Sequence, residues 1–377
     1  MKLAIVLTHP VQYYVPIFQM LSNRGKVHPK VFYTWSQWES ENFDKDFKMS
    51  IRWDIPLFEG YEYEFVENIA THPGIYSFDG IRNPTLLSRI MDFGADTVLV
   101  FGWNYQSHLT LMRKLKGKIP VYFRGDSTLL DEKRGVRTFL RRIWLKWVYR
   151  YVDKVFYVGQ KNKAYFKAHG LKENQMVYAP HVIDNQRFAG HQNGDWKSRL
   201  GLQSGDIVVL FVGKFESKKN PLLLMDAILE SQRDDIKLIM VGSGELHTEI
   251  ENRANSEKVI LLPFQNQSKM PEIYGMGDIL CLPSQGPGET WGLAVNEAFA
   301  CGLPAMVSDK VGCYSDLIIE GQTGFVFESG NKGQLIQIIE SLDKLRLKEM
   351  GEHANELAAR KFSYELLISS IENELLN

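Results

Sequence analysis

Cysteine is scarce in this sequence: Cys281, Cys301 and Cys313 are the only three in 377 residues, and all lie late in the chain. An odd, low count fits no disulfide framework, and a reducing cytosol is the expected compartment. Long apolar runs are missing as well. No window approaches the roughly 18 consecutive apolar residues of a membrane-spanning helix. The run Leu3–Leu7, ending in Thr8-His9-Pro10, is too brief for a signal peptide and reads as a first buried strand. Charge of one sign is not in excess: 44 Lys+Arg stand against 45 Asp+Glu, net −1, which excludes a general nucleic-acid binder. Glycine (30) and proline (14) are near average, which excludes collagen-like and disordered compositions.

Several chemistries lack their residues. The nine histidines form no HExxH, the cysteines no CxxC, and GxSxG is absent, so neither a zinc site nor a nucleophile elbow is expected. Asp44-Lys45-Asp46 has the aspartate-x-aspartate spacing of metal-dependent transferases. It sits in the polar stretch Trp38–Lys48 with no apolar strand before it, so it reads as a solvated loop. No metal and no cofactor are expected.

What is present is an alternation of short β-branched runs and amphipathic stretches. The strands predicted are Lys2–Thr8, Lys30–Tyr33, Thr97–Phe101, Pro120–Arg124, Lys154–Val158 and Met176–Tyr178, then Ile207–Gly213, Ile236–Val241, Val259–Leu262, Ile279–Leu282, Ala305–Val307 and Gly324–Phe327. Helical patterns between them include Val11–Leu21, Val136–Val152, Pro221–Ser231, His247–Ala254, Leu293–Ala300 and Gly333–Leu345. Apolar strands alternating with helices mark parallel sheets covered on both faces. The pattern occurs twice, so two doubly wound α/β domains are expected, with a boundary at Ala179–Asp184 followed by the polar stretch Gly190–Asp195. The neutral total divides between them: residues 1–180 carry a net of +9 and residues 181–377 a net of −10. Such asymmetry hints at an anionic partner for the first half.

Chemistry concentrates at strand ends in the second half. Ile207–Gly213 runs into Lys214-Phe215-Glu216-Ser217-Lys218-Lys219-Asn220-Pro221, where Lys214 and Lys219 bracket a turn and Pro221 suits a first helical position. Cations beside a helix N-terminus make a seat for a diphosphate, although two solvated lysines explain the pair alone. Val241-Gly242-Ser243-Gly244 lets a ligand approach the backbone, and a plain tight turn explains it equally well. The strongest segment is Gly286-Pro287-Gly288-Glu289-Thr290-Trp291-Gly292-Leu293-Ala294-Val295-Asn296-Glu297, a Gly/Pro loop that opens a helix near Gly292. Free amides, a loop carboxylate and a helical carboxylate together meet the phosphate, sugar hydroxyl and ribose diol of a nucleoside diphosphate sugar.

Those segments, with Ala300-Cys301-Gly302-Leu303-Pro304 and Gly321-Gln322-Thr323-Gly324-Phe325-Val326, resemble the C-terminal domain of retaining GT-B glycosyltransferases of family 4, of the bacterial polysaccharide and lipid-linked glycan type. The resemblance covers Phe211 to Phe327 well. It extends weakly to His9-Pro10-Val11-Gln12-Tyr13 and to a terminal helix, Phe362–Leu376. It implies a GT-B fold of two Rossmann-like domains facing a central cleft: 1–182 for the acceptor, 183–361 for the nucleotide sugar, and a helix over 362–377 crossing back to the first. It also implies sugar transfer with retention and without a metal. Lys214, Lys219 and Glu289 would be catalytic, with Lys219 on the donor diphosphate and Glu289 on a sugar hydroxyl. Donor binding would fall to Gly213, Gly242, Gly244, Phe264, Thr290, Trp291, Gly292, Leu293 and Glu297, with Glu297 on the ribose. Lys214 stands where the family has arginine, which keeps the charge and loses a bidentate grip. The loop after the first strand also departs from the family's Gly-rich form. The sequence does not name the base, so UDP, GDP, ADP and dTDP all stay open.

On the first domain, the strand ending in Arg124-Gly125-Asp126 offers Arg124 and Asp126 to an acceptor, and a local Arg–Asp pair explains them as well. His9, Tyr13 and His108 fall near other strand ends. In Val136–Val152, residues Val136, Phe139, Leu140, Ile143, Trp144, Trp147, Val148 and Tyr151 form one apolar face, and Arg134, Arg137, Arg141, Arg142, Lys146 and Arg150 make the rest basic. The default for such a helix is to bury its apolar face on the sheet. An all-basic outer face carries like-charge cost, which points to an anionic membrane surface where lipid-linked acceptors reside. The expected protein is therefore cytoplasmic, with a peripheral contact on the inner membrane face. Its partners are a nucleotide sugar and a glycan or lipid-linked acceptor. A nucleotide-sugar epimerase or hydrolase of the same fold, or a non-catalytic scaffold subunit, are the alternatives.

Overall fold

The structure is a computed structural model describing residues 1–37, 43–44, 49–50, 53–189 and 196–377. Lys45 and Asp46 of the aspartate-x-aspartate triplet and the expected linker 190–195 lie outside the described residues. Contacts divide the chain into two units: Met1–Asn42, Ile55–Pro180 and Tyr364–Asn377 in the first, Phe43–Asp54 and His181–Ser363 in the second.

The first unit is a seven-stranded sheet of β1 (Lys2–Leu7), β2 (His28–Tyr33), β3 (Glu62–Phe65), β4 (Thr97–Phe101), β5 (Val121–Arg124), β6 (Lys154–Tyr157) and β7 (Met176–Tyr178), in the order β3-β2-β1-β4-β5-β6-β7. Every pairing is parallel. β1 and β4 are apolar and buried along almost their whole length, as central strands covered on both faces must be. Among the helices are α1 (Val15–Arg24), α2 (Leu86–Phe93), α3 (Gln106–Leu115), α4 (Val136–Tyr149) and α5 (Gln160–Ala168). β3 escaped the sequence reading because Glu62-Tyr63-Glu64 of this edge strand is charged and largely exposed.

The second unit holds β8 (Ile207–Val212), β9 (Ile236–Val241), β10 (Val259–Leu262), β11 (Ile279–Leu282), β12 (Ala305–Ser308) and β13 (Gly324–Phe327), again all parallel, in the order β10-β9-β8-β11-β12-β13. Its helices include α6 (Pro221–Glu230), α7 (His247–Arg253), α8 (Leu293–Ala300), α9 (Lys332–Glu340) and α10 (Lys344–Lys361). The last helix, α11 (Tyr364–Leu376), returns to the first unit. There it buries Leu367, Ile368, Ile371 and Leu375, while Arg24 reaches Glu372 at 3.0 Å and Tyr122 donates to Glu374 at 3.2 Å.

Three predicted elements are corrected. The helix expected over Val11–Leu21 starts at Val15, because Pro16 lacks an N–H and fits only a first turn. The helix expected over Gly333–Leu345 ends at Glu340, and α10 starts afresh where the Asp343 side chain accepts from the Arg346 amide at 2.9 Å. The apolar face expected on α4 is not the one it buries: Val136, Phe139, Leu140, Ile143 and Trp144 stay in solvent, Trp147 and Tyr151 are partly buried, and the core takes Val148 together with Leu145 and Tyr149 from outside that face. At about 100° per residue Leu145 lies on the side of the helix roughly opposite Val136, Leu140 and Ile143, so packing Leu145, Val148 and Tyr149 into the core turns the expected face outward. Among the described residues no helix is long and apolar enough to cross a membrane.

Candidate functional site

In an open parallel sheet, strand order reverses at a switch point, and loops at the carboxyl ends of the two strands beside it leave a crevice. In the second unit that point lies between β8 and β11. The loop after β8 carries Gly213 to Asn220 and the loop after β11 carries Pro283 to Gly292, so the two motifs that are far apart in sequence arrive side by side.

The loops are tied to each other through the backbone. Gln285 N donates to Lys218 O at 2.9 Å, and Gln285 Nε2 to Ser217 O at 2.8 Å. Across this seam the Lys219 ammonium pairs with Glu289 Oε2, which also accepts from Ser284 Oγ at 3.0 Å. Both partners are mostly buried, with side-chain exposures of 19% and 9%. A charge pair this dry is held by strong attraction, and either charge left alone would be costly. Glu289 does not cap the helix that follows. α8 begins at Leu293 with Gly292 at its N-cap, and no side chain caps its first turn. Gly292 is required there: its φ is 100°, and a Cβ would lie 2.7 Å from Val311 Cγ1. The loop is further stitched to the turn after β12 by Gly312 N to Glu289 O (3.0 Å) and Cys313 N to Trp291 O (2.9 Å). Burial, with Glu289 adding to it, pushes the Cys313 thiol up, so it stays protonated and unreactive at neutral pH.

The other expected donor residues divide. Lys214, Phe264, Thr290 and Leu293 are partly exposed at strand or helix ends of this edge. Glu297 is buried on α8, where Tyr274 Oη donates to its Oε2 at 2.7 Å. Trp291 is buried, and its indole N–H donates to Asn296 Oδ1 at 2.7 Å, while Asn296 donates to His181 O at 3.2 Å. Gly242 and Gly244 leave no room for a side chain: a Cβ on them would lie 2.0 Å from Gly213 O and 2.6 Å from Phe215 O. Sequence reasoning missed Ser284 and Tyr274, the two residues that orient the carboxylates; neither belongs to a motif, and only the fold brings them near.

In the first unit the switch point lies between β1 and β4. His108 on α3 is wholly buried; its Nδ1 donates to Gly102 O at 2.9 Å and its Nε2 lies 2.9 Å from Thr34 Oγ1. Burial pulls its pKa down to about 4, so the ring is neutral near pH 7. His9 is held at about 4 for the same reason, with Nδ1 2.9 Å from Thr8 Oγ1 and the ring edge-on to Trp35. Arg124 is 3% exposed and donates to the carbonyls of Ala179 (2.7 Å) and Pro180 (3.1 Å), the two residues that follow β7. Burial lowers its pKa, with Tyr14 and Asp126 opposing that. Tyr13 and Asp126 are partly exposed on the same carboxyl edge.

Residues 192–361 match the family Glycosyl transferases group 1. The matched stretch contains the whole of the Lys219–Glu289 seam. N-acetyl-alpha-D-glucosaminyl L-malate synthase of Bacillus anthracis is 27% identical over 210 residues, 53% of this chain and 53% of the relative. A D-inositol 3-phosphate glycosyltransferase of Nocardia farcinica is 29% identical over 206 residues, 51% of this chain and 45% of the relative. The chain spans about half the length of the curated relatives it matches. Among solved structures, Alr3699/HepE of Anabaena in complex with UDP and glucose gives a TM-score of 0.71 at 17% identity, covering 100% of this chain and 99% of that one. Sucrose-phosphate synthase of Thermosynechococcus elongatus gives 0.74 at 15% identity, covering 99% and 98%. Likeness at that identity shows the fold: two parallel-sheet, Rossmann-like units of GT-B type.

Proposed function

We propose that this chain is a retaining, metal-independent glycosyltransferase that moves a sugar from a nucleoside diphosphate to a glycan or lipid-linked acceptor, peripheral to the cytoplasmic membrane face, in cell-surface polysaccharide synthesis. The observation that carries the reading is the Lys219–Glu289 pair, fixed by Ser284 at a topological switch point beside an uncapped helix start at Gly292. A cation and helix amides suit a diphosphate, and a held carboxylate suits a sugar hydroxyl. The match to the group 1 family over 192–361 supports the reaction class, and the structural likeness to a protein solved with UDP and with UDP-glucose supports the donor class.

As charge builds on the departing diphosphate, Lys219, Lys214 and the first amides of α8 stabilise it more than they stabilise the intact donor, which is what lowers a barrier. The acceptor oxygen attacks the anomeric carbon from the face the phosphate leaves. The new C–O bond forms as the C–O bond to phosphate breaks, and the acceptor proton passes to the leaving phosphate oxygen. Atoms and charge balance without a covalent enzyme intermediate.

A thermal-shift panel with UDP, GDP, ADP and dTDP tests the donor assignment, because a ligand of the native state raises its melting point. A rise with at least one nucleotide is expected. No response to any of them returns the protein to the scaffold class, and breakdown of a nucleotide sugar without acceptor moves it to a hydrolase or epimerase.

A further inference from the structure

The first half of α4 carries an unpartnered apolar strip. Val136, Phe139, Leu140, Ile143 and Trp144 are 76%, 64%, 59%, 53% and 44% exposed. Their spacing puts them on one helical face over about two turns. Single exposed apolar side chains are ordinary; a continuous strip of five is an interaction surface. Its surroundings are cationic throughout: residues 133–150 contain Lys133, Arg134, Arg137, Arg141, Arg142, Lys146 and Arg150 and no acidic residue. Glu132 takes up Arg142 at 2.8 Å and lies 3.9 Å from Arg141, and among the described residues no carboxylate pairs with Arg134 or Arg137. The C-terminal half of the helix is anchored through Leu145, Val148 and Tyr149, so the strip is presented on a rigid support.

Position adds to this. All strands of the first unit are parallel, and α4 starts from the loop that leaves the carboxyl end of β5. The strip therefore begins at the edge that also carries His9, Tyr13 and Asp126. The segment following β3 leaves the same edge and exposes Ile69, Tyr76 and Phe78 at 57%, 69% and 41%.

We propose that this strip enters the headgroup–acyl boundary of an anionic bilayer, with the flanking cations on lipid phosphates, so that the carboxyl edge of the first unit faces a membrane-anchored acceptor. A fluid anionic headgroup layer matches, without fixed geometry, the cations that Glu132 does not hold, whereas a folded protein partner needs carboxylates at set positions. A second copy of this chain is a poor occupant, since like charges would meet across a self-complementary interface. Only the acceptor clause rests on the glycosyltransferase reading; the insertion stands without it.

The test is co-sedimentation of the full chain, without nucleotide, with phosphatidylcholine vesicles that contain or lack phosphatidylglycerol. Binding to the anionic vesicles alone is expected. Phe139→Ser with Leu140→Ser should weaken it about tenfold or more. Arg134→Gln with Arg137→Gln should weaken it about 30-fold, with the melting point of both double variants unchanged. Absence of binding to anionic vesicles overturns the proposal, as does binding that survives both double variants. A dimer in sedimentation velocity that Phe139→Ser with Leu140→Ser abolishes, in protein that ignores vesicles, assigns the strip to a second copy instead. Protein that binds anionic vesicles but no nucleotide keeps the insertion element and loses the transferase.

Discussion

The two units share a sheet plan and differ in what they place at the reversal of strand order. In the second unit the switch point carries a salt bridge, Lys219–Glu289, partly open to solvent and steadied by Ser284. In the first unit two polar side chains near the equivalent point are turned inward, while Tyr13 and Asp126 stay partly exposed. His108 is locked between Thr34 and the Gly102 carbonyl, and Arg124 is spent on the carbonyls of Ala179 and Pro180. What the first unit exposes instead is apolar and basic surface along α4. One sheet plan thus carries a charge pair at the switch point of one unit and an exposed apolar and basic helix on the other, because strand-end loops vary while the sheet stays the same.

The largest effect expected from breaking this contrast is at Lys219. Lys219→Ala should lower sugar transfer about 10²–10³-fold, the range for removing one stabiliser of developing negative charge, while circular dichroism shows a folded protein. Wild-type turnover in that variant removes the phosphate role from the second unit.

Acid should strike the first unit through its histidines. The folded pKa of His108 is about 4 against 6.5 for a free ring, and His9 matches it. The folded chain therefore binds fewer protons than the unfolded chain between those values. Their contribution to stability is complete above pH 6.5, declines as pH falls toward 4, and is gone below it. Close to pH 4.5 the loss should reach about 2–3 kcal/mol per histidine, read by urea denaturation. A flat stability profile across that window means the rings are not buried neutral.

The smallest effect is expected from Ser284→Ala. It removes one hydroxyl hydrogen bond to the charged Glu289 carboxylate and leaves the Lys219 contact, so turnover should fall about tenfold, equivalent to about 1.5 kcal/mol. A loss as large as that of Lys219→Ala would make Ser284 a contact of the substrate rather than a support for Glu289.

Much of this was legible in the residues. β-branched runs gave six strands in the second half within a residue at each end, because strands buried on both faces must be apolar throughout. The helix start near Gly292 was legible too, since a Gly/Pro loop before an apolar run has few other solutions. β3 was not, because an edge strand is not obliged to be apolar. The fate of α4 was legible only in part. Periodicity reveals an apolar face, yet which face is buried depends on how the helix is turned against its neighbours, and that rotation is a property of the packing.

By itself the sequence determined the α/β class, its duplication, the charge division between halves and the motifs at the strand ends, all of which depend on local spacing. Tertiary structure alone decided that Lys219 meets Glu289 across 70 residues of sequence, that Ser284 and Tyr274 orient the two carboxylates, that a side chain at Gly242 or Gly244 would meet backbone, and that the front of α4 is left in solvent. Contacts between distant segments are fixed by strand order and by the lengths of packed elements, and neither quantity is written at any single position of the chain.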